Sequence, residues 1–126
     1  MSEKTLQRGV CDYIRYQYKD VLFNSDLSGA TKLTIGQAVA LKNLRSNRGF
    51  PDLVIYEPRN GYHGLFLELK NEGTKLYKKN GRPATPHIGE QLDCLLELRM
   101  RGYCVAFAIG FDNARQIIDD YLNGKI

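Results

Sequence analysis

Gly49-Phe50-Pro51-Asp52-Leu53-Val54-Ile55-Tyr56 and Gly64-Leu65-Phe66-Leu67-Glu68-Leu69-Lys70 are two apolar runs, each charged where a buried strand should not be. Side chains alternate along a strand, so Leu65, Leu67 and Leu69 share one face while Phe66, Glu68 and Lys70 share the other. Glu68 and Lys70 are then same-face neighbours roughly 6–7 Å apart. Pro58-Arg59-Asn60-Gly61-Tyr62 joins the runs as a hairpin-like connection. A register that pairs Glu57 with His63 also pairs Tyr56 with Gly64, Val54 with Phe66 and Asp52 with Glu68. Like charges directly opposite each other are destabilising, so two carboxylates placed this way, with a lysine beside them, suggest a cation between them.

Beyond Lys70 lies a long connection, Asn71 to Pro83, in which Lys75, Lys78, Lys79 and Arg82 accompany Tyr77. Its start beside Lys70 favours contact with nucleic acid over a merely solvated loop. Thr85-Pro86 opens a helix, with Thr85 as the N-cap and Pro86 in the first helical position. Ile88, Leu92, Leu95 and Leu96 form its apolar stripe, and Gln91 lies at the stripe's edge, within reach of the sheet. Arg101-Gly102 stops this helix. Tyr103 to Ile109 reads as a fully buried strand, so Leu65 to Ile109 is a βαβ unit whose strands run parallel. Asp112 is expected to cap a last helix running to about Leu122.

Before the hairpin, a helix spans about Glu3 to Tyr18, with Leu6, Val10, Tyr13, Ile14 and Gln17 in one stripe and Glu3 and Gln7 on or beside it. A first-turn glutamate also complements the helix dipole, so Glu3 has both a bland and a functional explanation. Val21-Leu22-Phe23 reads as a short strand, followed by turn chemistry from Asn24 to Gly29. Ile35 to Arg45 is expected to be a helix with Ile35, Ala38, Val39 and Leu41 facing the core. Its end carries Lys42, Arg45 and Arg48, which suit either phosphate or the helix dipole.

The chain has 126 residues, 43% hydrophobic and 25% charged, as expected of one globular domain spanning residues 1–126. A net charge of +4 fits a polyanionic partner without requiring one. No apolar run approaches the roughly 20 residues needed to span a bilayer, and the polar start has no signal-peptide core, so a cytoplasmic protein without a membrane partner is expected. Cys11, Cys94 and Cys104 read as reduced, buried thiols. His63 and His87 read as ordinary hairpin and helix residues.

Asp on one strand, Glu-x-Lys on its hairpin partner, and a helix returning to a parallel strand form a specific combination. The chain resembles the PD-(D/E)XK nucleases, and more narrowly the virus-type replication-repair nuclease (VRR-Nuc) group. Gly49-Phe50-Pro51-Asp52-Leu53 matches the PD motif, Glu68-Leu69-Lys70 the E-x-K motif, and Gln91 the glutamine that the group places on the following helix. The segment between E-x-K and Gln91 is longer and more basic than the group's compact turn. The resemblance implies an α/β, restriction-endonuclease-like core: a small mixed sheet, antiparallel hairpin plus parallel βαβ return, flanked by helices.

Asp52 and Glu68 offer hard oxygen ligands suited to Mg²⁺ or Mn²⁺. Lys70 would stabilise growing negative charge, and Gln91 would position water or phosphate. The resemblance adds the backbone carbonyl of Leu69 and, from helix one, Glu3 as metal ligands. Lys75, Lys78, Lys79, Arg82 and Arg48 would hold the DNA backbone. By resemblance, the activity is metal-dependent hydrolysis of DNA phosphodiesters, leaving a 5′-phosphate. No organic cofactor is implied. A homodimer acting on branched DNA in a bacterial or phage-infected host cytoplasm, like a Holliday-junction resolvase, is the leading expectation. The alternatives are a flap, nick or single-strand nuclease, or a nucleic-acid-binding module of the same fold.

Overall fold

The computed structural model describes residues 2–26 and 32–126. The turn expected at Leu27, Ser28 and Gly29 lies outside the described residues. The elements are α1 (Glu3–Gln17), β1 (Phe23–Ser25), α2 (Ile35–Asn43), β2 (Leu53–Ile55), β3 (Leu65–Lys70), α3 (Pro86–Met100), β4 (Cys104–Ile109) and α4 (Phe111–Leu122). The strands form one four-stranded sheet in the order β1-β2-β3-β4. β1–β2 and β2–β3 are antiparallel, and β3–β4 is parallel. This is the mixed α/β sheet expected.

The hairpin register is the expected one, with Val54 opposite Phe66. Asn60 (φ 50°) and Gly61 (φ 88°) both take left-handed conformations, as a two-residue turn matched to strand twist requires. Arg59 and Tyr62 exchange backbone hydrogen bonds of 3.2 and 2.8 Å across it.

Alternation along β3 separates two layers. Leu65, Leu67 and Leu69 join Leu6, Val10 and Ile14 of α1 and Ala114, Ile118 and Tyr121 of α4 in the core. Burial of each large aliphatic side chain there contributes on the order of 1.5–3 kcal/mol. The Tyr13 and Tyr18 hydroxyls both donate to Asp119 Oδ1, at 2.7 and 2.6 Å, tying α1 to α4. The other face of β3 carries Glu68 and Lys70 and meets α3.

Several expectations are corrected. The first strand is Phe23–Ser25, not Val21–Phe23. Pairing with β2 overrides the turn preference of Asn24 and Ser25, and Ser25 Oγ donates to the Asp52 carbonyl at 2.7 Å. Helix α2 buries none of its residues, so Ile35, Ala38 and Val39 do not face the core, and Leu41 is only half-buried. Its start is held by a reciprocal capping box between Thr34 and Gln37, not by an apolar face. In α3 the buried residues are Ile88, Gln91, Cys94 and Leu95, whereas Leu96 is exposed: the stripe turns towards the polar face of the sheet. Strand β4 is an edge strand, so it is partly buried and not fully so. The N-cap of α4 is Gly110, with Asp112 in the first turn, while Asn113 accepts from the Ile109 N–H at 2.8 Å. Cys11, Cys94 and Cys104 are free thiols, Cys11 only half-buried.

The connection after Lys70 is itself structured. Ala84 N–H donates to Leu76 O and Lys78 N–H to Arg82 O, both at 2.8 Å, and Tyr77 bridges Pro83. Gly81 turns the tip with φ +84°. Residues 74–84 therefore form a short hairpin finger, with Lys75, Lys78, Lys79 and Arg82 exposed along it.

Candidate active site

Three polar residues are buried where β3 meets α3: Glu68 is 2% exposed, Lys70 7% and Gln91 5%. Glutamate and lysine are almost never this buried unless paired or liganded. Glu68 and Lys70 reach this face because they alternate with Leu67 and Leu69. Gln91 reaches it because Thr85 caps α3, accepting from Ile88 N–H at 3.1 Å, which fixes the helical phase. The Gln91 amide donates to Glu68 Oε1.

Asp52 arrives just before β2. Its Oδ2 accepts from the Leu69 N–H at 2.9 Å. The N–H and C=O of one strand residue leave the strand on the same side, so the Leu69 carbonyl is directed to the Asp52 side of β3. Gly49 makes this approach possible. It has φ +79°, and a Cβ there would lie 2.8 Å from the Glu90 backbone carbonyl and 2.9 Å from Gln91 N. Only glycine lets the loop carrying Asp52 pack against the turn carrying Gln91.

Glu68 is held in its protonated form. Burial raises its pKa most, then the neighbouring Asp52 carboxylate, with Lys70 opposing, and the result is pushed up to about 10. Lys70 lies within salt-bridge distance of neither carboxylate, among the described residues. Among the described residues, the buried oxygens Glu68 Oε2 and Gln91 Oε1 have no hydrogen-bond partner. Adjacent carboxylates that retain a proton, beside orphaned oxygens, match the donor chemistry of a hard divalent cation. Among the described residues no group of three or more His, Cys, Asp or Glu side chains is arranged to hold a metal. Mg²⁺ and Mn²⁺ bind through one or two carboxylates and keep several waters, so the Asp52 and Glu68 oxygens would suit such an ion.

Asp52, Glu68, Lys70, Leu69 and Gln91 thus come together. Glu3 does not join them by any hydrogen bond or ion pair among the described residues, and it is exposed in the first turn of α1. The buried polar residue of α1 is Gln7, whose amide donates to Ser25 Oγ and, at 2.9 Å, to Asp26 O. Asp26 N–H in turn donates to the Asp52 carbonyl at 2.7 Å. Helix one therefore supports the backbone behind Asp52 through Gln7. A glutamine on the core stripe was the available sequence signal.

Arg48 and Lys42 are exposed, whereas Arg45 turns inward and pairs with Asp26. The Cys94 thiol is pushed up by burial first and then by Glu68, while Arg45 pulls it down. Arg45 and Glu68 therefore act on one neighbourhood of α3.

No family model matches the chain, and no curated protein does. It is similar to a solved structure described as a VRR_NUC domain protein: TM-score 0.70, 25% identity, covering 98% of this chain and 90% of that one. A second, described as a VRR_NUC domain, aligns with a TM-score of 0.49 and 25% identity over 92% of this chain and 97% of its own.

Proposed function

Because the chain is a VRR-Nuc domain, we propose that it is a metal-dependent DNA endonuclease that hydrolyses phosphodiesters. The observation that carries this reading is the buried Glu68 carboxyl beside the half-buried Asp52, with Glu68 Oε2 unpartnered among the described residues and Lys70 buried on the same face. Asp52, Glu68 and the Leu69 carbonyl would hold Mg²⁺ or Mn²⁺. When bound, the ion neutralises phosphate charge and makes its bound water more acidic.

The rest of the work falls to side chains. Lys70 offers a positive charge in a site shielded from water, where it stabilises negative charge developing on the phosphate. The free Gln91 Oε1 accepts a hydrogen bond and so orients a water, while its amide fixes Glu68. Lys75, Lys78, Lys79 and Arg82 on the finger, together with Arg48, neutralise backbone phosphates without reading bases. Glu3 stands outside this set.

A homodimer selective for branched DNA completes the proposal, since two sites related by a twofold axis suit paired cuts. The test is incubation of labelled four-way junction, flap, duplex and single-stranded DNA with Mg²⁺ or Mn²⁺. Paired symmetric nicks on the junction, lost in Asp52→Ala and Lys70→Ala, are expected. Wild type that cuts none of the four, like the variants, overturns the enzyme reading. Cleavage of flaps with junctions spared overturns only the selectivity.

A further inference from the structure

We propose that Arg45 is a phosphate-gripping residue of the cleft, parked on Asp26 until nucleic acid enters; this rests on the nuclease reading above. A cleft of about 320 Å³ is lined by Ser25, Asp26, Arg45, Pro51, Asp52 and Val54. It opens directly beside one of the two carboxylates of the site. Arg45 lies just beyond the end of α2, and its backbone N–H still donates to Lys42 O at 3.3 Å.

Three cations cluster at this helix end, and they are treated differently. Lys42 and Arg48 extend into solvent, but the Arg45 side chain is only 25% exposed and pairs with an Asp26 carboxylate that is 16% exposed. Drawing one arginine inward costs side-chain entropy and hydration. The pair is anchored to the site itself, because Asp26 N–H donates to the Asp52 carbonyl at 2.7 Å. A displacement of Arg45 is therefore referenced to Asp52 through one hydrogen bond.

A guanidinium has five donors in a rigid fork and matches phosphate two bonds at a time. The single carboxylate of Asp26 leaves donors over for a second anion. A DNA strand threading past Asp52 would bring its phosphates into this cleft, and Arg45 is the cation lining it. Arg45 touches a phosphate adjacent to the reacting one and sets the register of the strand. It leaves the metal ligands untouched.

The test uses the full chain with Lys70→Ala as a cleavage-suppressed background, and fluorescence anisotropy on a labelled junction at several salt concentrations. Arg45→Gln should weaken binding roughly tenfold and lower the log–log salt slope by about one. Arg45→Lys should keep the slope, because the charge remains, but bind more weakly than the parent because the fork is gone. Mn²⁺ affinity, measured by calorimetry without DNA, should be unchanged in both. An Arg45→Gln slope equal to the parent's overturns the proposal, as does a parent that binds no DNA. Binding lost together with cooperative unfolding at assay temperature in both variants assigns the pair a structural role and also overturns it. Failure of the nuclease reading appears elsewhere, as absent cleavage in the Lys70 wild type with the Arg45 slope change intact.

Discussion

Metal-free protein should lose stability as pH rises, because Glu68 keeps a proton that the unfolded chain gives up. The folded pKa is raised from 4.5 to about 10. Between those values the unfolded state binds fewer protons than the native state, so the slope of unfolding free energy with pH is negative, about −1.4 kcal/mol per unit for one group. At pH 7 the accumulated cost is about 3 kcal/mol relative to pH 4.5. Glu68→Gln removes the titration while keeping the shape and the oxygen that accepts from Gln91. In EDTA at pH 7 the variant should be more stable than wild type by roughly 2–3 kcal/mol, and the gap should close as pH falls towards 4.5. Urea unfolding followed by circular dichroism at half-unit steps from pH 5 to 8 measures it. Cys11, Cys94 and Cys104 are raised from 9.0 and so titrate above this window. Parallel curves for wild type and variant would refute the claim that the carboxyl pair is strained without a cation. Saturating Mg²⁺ should reverse the order by stabilising the wild-type native state through mass action.

Gly49→Ala should cost roughly 2–4 kcal/mol in urea unfolding, combining left-handed strain with a clash against the Glu90 backbone. Its cleavage rate should fall more than its DNA affinity, since the clash separates Asp52 from Gln91. Replacing Lys75, Lys78, Lys79 and Arg82 together by glutamine should lower the salt slope of DNA binding by about three to four with Mn²⁺ affinity unchanged, read by anisotropy and calorimetry. Tyr121→Phe removes a hydroxyl that donates to the Glu57 carbonyl at 2.6 Å. It should destabilise by about 1–2 kcal/mol with cleavage per folded molecule unaltered, measured by thermal melting beside the nuclease assay.

The strand carrying Glu68 and Lys70 was legible because its period-two pattern admits one register. A slip by one residue would send Glu68 and Lys70 into the leucine core. Gln91 was legible because Thr85-Pro86 fixes the start, and hence the phase, of α3. Helix α2 was misread because apolar residues at helical spacing predict a buried face only where something covers it. Over nine residues, capping and one ion pair just beyond its end suffice instead. Strand β4 read as buried because its residues are apolar, but composition does not tell a central strand from an edge one. The sequence put Gln7 beside the core stripe and Arg45 among cations suited to phosphate, but not their link to Asp26 and Asp52, which is made by contacts between elements far apart in the chain. Their residue types are ordinary, and only the fold puts them behind and beside Asp52. The ordered finger escaped for another reason: its ladder is a few backbone hydrogen bonds, which leave little trace in side-chain pattern.

The central claim is that a divalent cation takes the place of the proton that Glu68 keeps beside Asp52. Calorimetric titration of Mn²⁺ into DNA-free protein at pH 7, repeated in buffers of different ionisation enthalpy, tests it most directly. The account predicts binding that releases about one proton in wild type and is lost in Asp52→Ala and Glu68→Ala. Equal Mn²⁺ binding by those variants, or wild-type binding without proton release, would contradict it.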